Sequence, residues 1–476
     1  MKRSIIILFA LYLSLPLLSH PWKPAHYVII DTDGGIDDIR AINLFLASPN
    51  VRVLAITVSS GSLSANNAYL KVKSLLNSCF HEGLPVGINR KSGFRSMDFP
   101  FASETKWGTE TGINPDNAPE AINLISEILS AEKTKISYIC LGGMNTIYTA
   151  MSKIPEFKNQ VKEILWSADG LNDTGGFNFK IDKEASLRIL NGVLPVIIVR
   201  RAEAADFYNN EMLKGMSIIN TPYAKKISQF LNSETAKNHN YSLLGIDDMV
   251  PLYMHFSELF KTISTGKNTD CIPQNISSLR QRTLVILKGE TVARNQVIKE
   301  FPVDSSFYFS DIQKDVSEII DIYGIDEWTC GVIANELHRH LGVYAIIGVK
   351  MGIRAREYFA TGVDEFRATT FSGSIPPLSC MNDGVQVSTG ATPGHGLLKV
   401  RDDTLSRPAA EFTYMNHKIR LTLKPEIAEK INAELKEISF VNGIDSDIYW
   451  ELVRKNSIKY WRNLDRHDIF EIEAIL

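Results

Sequence analysis

The chain has 476 residues, with 51 Lys and Arg against 54 Asp and Glu and a formal net charge of −3. So even a balance gives no broad basic field, which argues against a nucleic-acid binder. Hydrophobic residues at 44% and charged residues at 22% exclude a disordered chain, a collagen and a coiled-coil rod, and the length allows about three units of ~150 residues or two larger ones. Five cysteines are too few for a disulfide scaffold, and the odd count leaves at least one thiol unpaired.

Residues 1–20 read as a secretory signal peptide: Lys2 and Arg3, an apolar run from Ile5 to Leu18, then Ser19 and His20. The run is short of the ~20 residues that span a bilayer, so stable membrane insertion is not expected. The mature protein is expected to be secreted or periplasmic.

From Tyr27 onward, apolar runs alternate with helical stretches. Strands are expected at Tyr27–Ile30, Val51–Val58, Leu84–Ile88, Ile136–Leu141, Ile164–Ser167 and Leu194–Val199. Their Val, Ile and Leu content without alternation suits strands buried on both faces. Helices are expected at Ile39–Ala47, Ala65–Cys79, Ala118–Ser130, Thr146–Lys153 and Lys183–Leu190. This order predicts an α/β domain over 24–305 with a mostly parallel, Rossmann-like sheet. Phe301–Tyr308 reads as a connection. A helix at Ile312–Tyr323 opens a second, smaller α+β domain over 312–476.

Ligands of open α/β sheets bind beyond the carboxyl ends of the strands. There the sequence places Asp31-Thr32-Asp33-Gly34-Gly35-Ile36-Asp37-Asp38, Ser59-Ser60-Gly61-Ser62, Gly142-Gly143-Met144-Asn145 and Asp169-Gly170-Leu171-Asn172-Asp173. Four carboxylates within eight residues repel one another, and a cation relieves this; oxygen-only ligands favour Ca²⁺ or Mg²⁺. The alternative is a solvated acidic helix start.

The segment Asp31–Asp38 resembles the DTDPGxDD signature of the inosine–uridine type nucleoside hydrolases. Leu141–Thr146 is similar to that family's LGPLTN, Phe177-Asn178 with Asp182–Ala185 to its EFN…DPEAA, and Gly245–Asp248 with Pro251-Leu252 to its late His-Asp segment. The resemblance covers residues 26–305. It implies a Ca²⁺ held by Asp33, Asp38, Asp248 and the Asn145 carbonyl, with Asp33 as the base that activates a water. It further implies that Asp37 and Asn178 bind ribose hydroxyls and that a small-molecule riboside is the substrate. Four positions depart: Gly34 for Pro, Ser62 for Asn, Gly176 for Glu, and Asp247 for His. They imply an altered substrate, a different leaving-group acid drawn from Asp169, Asn172 or Asp173, or lost activity. The alternative function is a non-catalytic periplasmic binding protein for a riboside, a metal or a metal complex, with any activity in the second domain. A homo-oligomer stays open.

In the second domain, His338-Arg339-His340, Cys380-x-x-Asp383 and the loop Thr389–Gly396 with His395 resemble the family of E-type formylmethanofuran dehydrogenase subunits. The resemblance implies that His338, His340, Cys380 and Asp383 gather a transition metal, Zn²⁺ or a similar ion. Gly342 stands where that family has a Cys. A Cys330–Cys380 disulfide would remove the thiolate from this site. Cys271 is expected in a loop, and Cys330 ahead of the helix bearing the two histidines. Trp166, Trp328 and Trp450 are expected in cores.

Overall fold

A computed structural model describes residues 23–91, 93–170, 175–291, 297–298, 300–402, 405–444 and 446–475. The predicted signal peptide, Asn172 and Asp173 lie outside them. Among the described residues, no helix is long and apolar enough to cross a membrane.

Eight strands build the first sheet: β1 (His26–Thr32), β2 (Val51–Val58), β3 (Val86–Ile88), β4 (Ile136–Cys140), β5 (Val161–Ser167), β6 (Val196–Val199), β7 (Phe260–Thr265) and β8 (Asn268–Pro273). Their order is β3-β2-β1-β4-β5-β6-β8-β7. All pairs are parallel except the edge hairpin β7–β8. β2 is buried along its whole length because helices cover both faces, which is why its sequence shows no alternation. Neighbours reverse direction in the order at β1 and β4, so a crevice opens beyond their carboxyl ends. The loops after both strands carry the predicted polar motifs.

Two elements start later than their apolar runs suggest. β3 begins after Pro85, whose carbonyl accepts from Ile56 N–H, and the helix Ala121–Ala131 begins after Pro119, whose carbonyl accepts from Ile88 N–H. Cys271 is not in a loop: it is buried within β8, between β6 and β7.

The second module begins with a 3-10 turn at Gln313–Asp315 and the helix Val316–Tyr323, narrower than the predicted Ile312–Tyr323. The helices Ile325–His338, Val343–Phe359 and Met381–Thr389 pack on a five-stranded sheet, order β10-β9-β11-β12-β13. These strands are β9 (Arg367–Thr370), β10 (Leu398–Val400), β11 (Ala409–Tyr414), β12 (His417–Leu423) and β13 (Phe470–Ile475). Cys330 lies inside the helix Ile325–His338, packed near Val349 and Ile353. Cys380 packs in a different cluster, and both thiols are free, so the alternative of a Cys330–Cys380 disulfide is not adopted.

The two modules are joined through the floor of the first sheet, at the amino ends of its strands. Arg52, at the start of β2, forms a buried ion pair with Glu365. His81 bonds the Glu357 carbonyl through Nδ1 (2.6 Å) and the Tyr223 hydroxyl through Nε2 (2.8 Å). Gly83 N–H donates to Tyr358 O, Arg354 pairs with Glu82, and the Phe80 ring stacks on His467 at 3.5 Å.

Candidate active site

Asp33 follows β1 and sits between two loops. Gly34 has φ +81°, and a Cβ there would come within 2.8 Å of the Ala68 Cβ. Proline fixes φ near −65°, so this turn rejects it and takes glycine. A Cβ on Gly61 would lie 2.2 Å from Asp33 Oδ2, so the loop after β2 presses directly on that carboxylate. Asp33 Oδ1 accepts from Gly35 N–H (3.3 Å), while Oδ2 is buried without a hydrogen-bond partner.

The helix Ile36–Ala47 then presents Asp37 and Asp38 in its first turn, where the helix dipole favours negative charge. Asp38 Oδ1 accepts from Thr32 Oγ1 (2.6 Å) and Asp33 N–H (3.2 Å). Asp37 Oδ2 accepts from the Tyr241 hydroxyl (3.0 Å). Asp247 arrives from the far side, accepting from Ser167 Oγ through Oδ1, with Oδ2 buried and unpartnered. Carboxylate oxygens of Asp37, Asp38 and Asp247 lie within 4.8 Å of one another.

Burial is the main force on these groups, and their mutual repulsion adds to it. Together they push Asp33, Asp37 and Asp38 up to about 7 and Asp247 well above the carboxylate range. Asp31, behind them, rises to about 8 through burial, against hydrogen bonds from Thr57 and Thr146. Hard oxygen donors, buried, crowded and partly unpartnered, fit Ca²⁺.

The structure corrects one of the predicted contacts. Asp248 does not face the cluster. It is fully buried against Arg40, with Nε–Oδ1 at 3.2 Å and Nη2–Oδ2 at 2.9 Å, and it accepts from the Tyr208 hydroxyl (2.6 Å). The buried Arg40 claims Asp248, and Asp247 is the one that reaches the pocket. With Asp247 in the pocket, the residue before it is Ile246. Asn145 begins the helix Asn145–Lys153, and its carbonyl accepts from Thr149 Oγ1 (2.9 Å) along that helix. Asn178 Nδ2 is engaged by Leu141 O (2.6 Å) and Ser167 O (3.0 Å), which leaves its Oδ1 to accept from a ligand hydroxyl. Asp169 fills the space at Gly176: a Cβ there would be 2.5 Å from Asp169 Oδ2. Tyr241 is the pocket residue that sequence reading missed. Its only signal was an aromatic two residues after His239 in a polar stretch.

In the second module, His338 ends its helix and Arg339, at φ 67°, turns the chain so that His340 returns beside it. The two imidazoles lie 4.2 Å apart, and ligand atoms of His338, His340 and Cys380 fall within 4.8 Å of one another. Asp383 is set back: its Oδ2 bonds His338 Nδ1 (2.7 Å), and Gln386 reaches its Oδ1 (3.4 Å). It orients the imidazole and leaves His338 Nε2 buried and unpartnered. Burial and the neighbouring His338 lower His340, which keeps it a neutral donor. Burial, then Asp383, pushes the Cys380 thiol up to about 11. A Cβ on Gly342 would lie 3.3 Å from His340 Nε2, so the missing side chain leaves that position open. A cavity of about 350 Å³ adjoins the triad, lined by His338, Cys380, Asn382, Asp383 and Gln386 among others. Trp166 and Trp328 are core residues as expected, but Trp450 is 46% exposed and meets the His340 ring edge-on at 5.1 Å.

Residues 28–301 match the family described as inosine-uridine preferring nucleoside hydrolase, and residues 337–453 match the one described as FmdE, molybdenum formylmethanofuran dehydrogenase operon. The chain is 24% identical over 189 residues to the pyrimidine-specific ribonucleoside hydrolase RihA of Salmonella schwarzengrund, covering 36% of this chain and 58% of that protein. A Schizosaccharomyces pombe protein is 25% identical over 189 residues, covering 36% and 60%. The chain thus spans about 60% of the length of these curated relatives. Among solved structures, the inosine-uridine preferring nucleoside hydrolase of Bacillus anthracis aligns with TM-score 0.43 and 13% identity, over 56% of this chain and 99% of that one. The purine-preferring ribonucleoside hydrolase of Gardnerella vaginalis aligns with TM-score 0.42 and 15% identity, over 56% and 99%.

Proposed function

Since the chain belongs to the inosine-uridine preferring nucleoside hydrolase family, we propose that it hydrolyses the N-glycosidic bond of a ribonucleoside or related riboside. One observation carries this reading: four buried carboxylates converge at the sheet crevice, and two of them, Asp33 and Asp247, keep an unpartnered oxygen. Asp38 and Asp247, with Asp33 and Asp37 beside them, would hold Ca²⁺. When bound, the ion supplies positive charge that lowers the pKa of a water and orients ribose hydroxyls. Asp33, raised by burial toward neutrality, takes the water proton on Oδ2. Asp37 and Asn178 Oδ1 accept from ribose hydroxyls. The remaining carboxylates oppose the positive charge that grows on the ribose ring as the bond breaks.

The test is a reducing-sugar assay with Ca²⁺ on ribosides of purine, pyrimidine and pyridine bases. Turnover abolished by Asp33→Ala supports the reading; binding without turnover favours the ligand-binding alternative. The N-terminal segment supports export from the cytoplasm, which the N-terminal sequence of the mature protein checks.

The triad His338, His340 and Cys380 supports a second centre of different chemistry. Two imidazoles and a thiolate suit Zn²⁺ or a similar ion with one open position facing the cavity.

A further inference from the structure

Three donors meet in the second module, and no fourth joins them. Ligand atoms of His338, His340 and Cys380 lie within 4.8 Å of one another, and among the described residues no further His, Cys, Asp or Glu completes the group. Asp383 is turned away: its Oδ2 bonds His338 Nδ1 (2.7 Å), and Gln386 Nε2 reaches its Oδ1 (3.4 Å). This leaves His338 with Nε2, buried and unpartnered, to offer an ion.

The chain has a place for a fourth donor and leaves it bare. Gly342 has φ −114°, which any residue adopts, so the turn does not require glycine. A Cβ there would lie 3.3 Å from His340 Nε2 and 3.6 Å from His338 Cδ2, at the edge of the donor set. Three-coordination is therefore set by the identity of residue 342 and not by its backbone.

Coordination number and softness separate the ions that two imidazoles and a thiolate can hold. Zn²⁺ is almost always four-coordinate and would have to draw a water from the adjoining cavity. Cu⁺ is complete with three ligands, and thiolate selects it; Cu²⁺ heads the divalent affinity series and occupies trigonal sites of two histidines and a cysteine with a weak fourth ligand. The surroundings agree. Cys380 is 6% exposed and packs in one apolar cluster with Val343, Tyr344, Ile347 and Met381. One thiolate neutralises Cu⁺, whereas Zn²⁺ keeps a positive charge in that apolar shell. Trp450, half-exposed and edge-on to His340 at 5.1 Å, gives an electron a short route between a ligand imidazole and solution.

We propose that the second centre is a copper site, three-coordinate through His338, His340 and Cys380, whose ion changes oxidation state in place. The proposal rests on the metal-centre reading above and names its ion. In the forward step Cu⁺ gives one electron to a one-electron acceptor and becomes Cu²⁺; a one-electron reductant of the ascorbate type reverses it. The three protein donors stay bound throughout, and no proton moves.

The experiment uses the full chain with Ca²⁺ present, loaded without oxygen with one equivalent of Cu⁺. The loaded protein should be colourless. One equivalent of ferricyanide should raise an intense visible thiolate-to-copper band and a Cu²⁺ paramagnetic resonance signal, ascorbate should erase both, and the cycle should repeat. An excess of Zn²⁺ should not displace the Cu⁺. Cys380→Ser should lose the band, since Cys79, Cys140, Cys271 and Cys330 are buried elsewhere. Gly342→Cys, which adds a fourth donor, should tighten Zn²⁺ binding at least about ten-fold. The wild-type cycle and the Zn²⁺ competition decide the matter even where a variant does not fold. Displacement of Cu⁺ by equimolar Zn²⁺ overturns the ion and leaves the metal-centre reading standing. Copper bound without the band, or a band that survives in Cys380→Ser, overturns the copper site, and unchanged Zn²⁺ affinity in Gly342→Cys overturns its open position. No binding of Cu⁺, Zn²⁺ or Co²⁺ by the wild type overturns both readings.

Discussion

Arg40 and Asp248 form a two-bond ion pair with no exposed side-chain surface, and Tyr208 closes it with a third hydrogen bond. Arg40 also donates to Leu244 O (2.7 Å), so the pair pins the chain that carries Asp247 onto the helix that carries Asp37 and Asp38.

Two adjacent aspartates should therefore behave in opposite ways. Asp248→Ala leaves a buried guanidinium unpaired and should cost about 3–5 kcal/mol in urea unfolding. Asp247→Asn removes a crowded negative charge and should leave metal-free stability equal or higher, while severely weakening Ca²⁺ binding by calorimetry. Equal effects of both on stability would remove this distinction.

Metal-free stability should fall as pH rises from about 4 to about 7. Asp33, Asp37 and Asp38 rise to about 7 in the fold, against about 3.9 unfolded. Between those values the folded state binds more protons than the unfolded one, so deprotonation destabilises it. Ca²⁺ needs the ionised forms. Its stabilisation, about 2.7 kcal/mol at a hundred times Kd, should grow with pH and level off above about 7. Melting curves with Ca²⁺ or a chelator, across pH, measure both trends.

The joint between the modules should have its own pH window. Burial of Glu357 is overcome by Arg466 and His467, which hold it down at about 2. Asp465 is likewise lowered to about 2, chiefly by its hydrogen bond to His467. Stability from these depressed carboxylates is present above their unfolded pKa and lost as pH falls toward 2; for Glu357 it is about 3 kcal/mol. His467 is raised, despite burial, by Asp465 and Glu357. Its contribution is present below about 6.5 and lost as pH rises through the higher folded value. Arg466→Met should flatten the acid limb of the melting temperature. An unchanged limb would show that other carboxylates set it.

Co²⁺ should bind the second module at one site with a thiolate-to-metal absorption band. Cys380→Ser should abolish the band. Asp383→Asn should keep it but weaken affinity about 10–100-fold, as expected of a residue that orients His338 without touching the metal. Complete loss of the band in Asp383→Asn would make Asp383 a ligand after all.

The sheet was legible because buried parallel strands write themselves as runs such as Val51–Val58, and the acidic loop because Asp31–Asp38 concentrates charge where that sheet must open. The choice between Asp247 and Asp248 was not legible from those two residues alone. It is made by Arg40, 208 positions earlier than its partner, whose burial no local pattern announces. Asp383 was found, but its place behind His338 was not legible, since a ligand and the residue behind a ligand share one composition. Trp450 looked like core because most tryptophans are; its place beside His340 depends on how two distant helices pack.

The second module grips the amino ends of the strands, while the acidic pocket opens beyond their carboxyl ends. The attached module therefore does not cover the pocket, and any ribose formed there would leave on the side away from the joint. Any chemistry at the His338–Cys380 centre must draw its reactants from the surrounding medium, with no channelling from the first site. An enzyme added in trans to consume free ribose should intercept all of it, whether or not the second centre holds its metal.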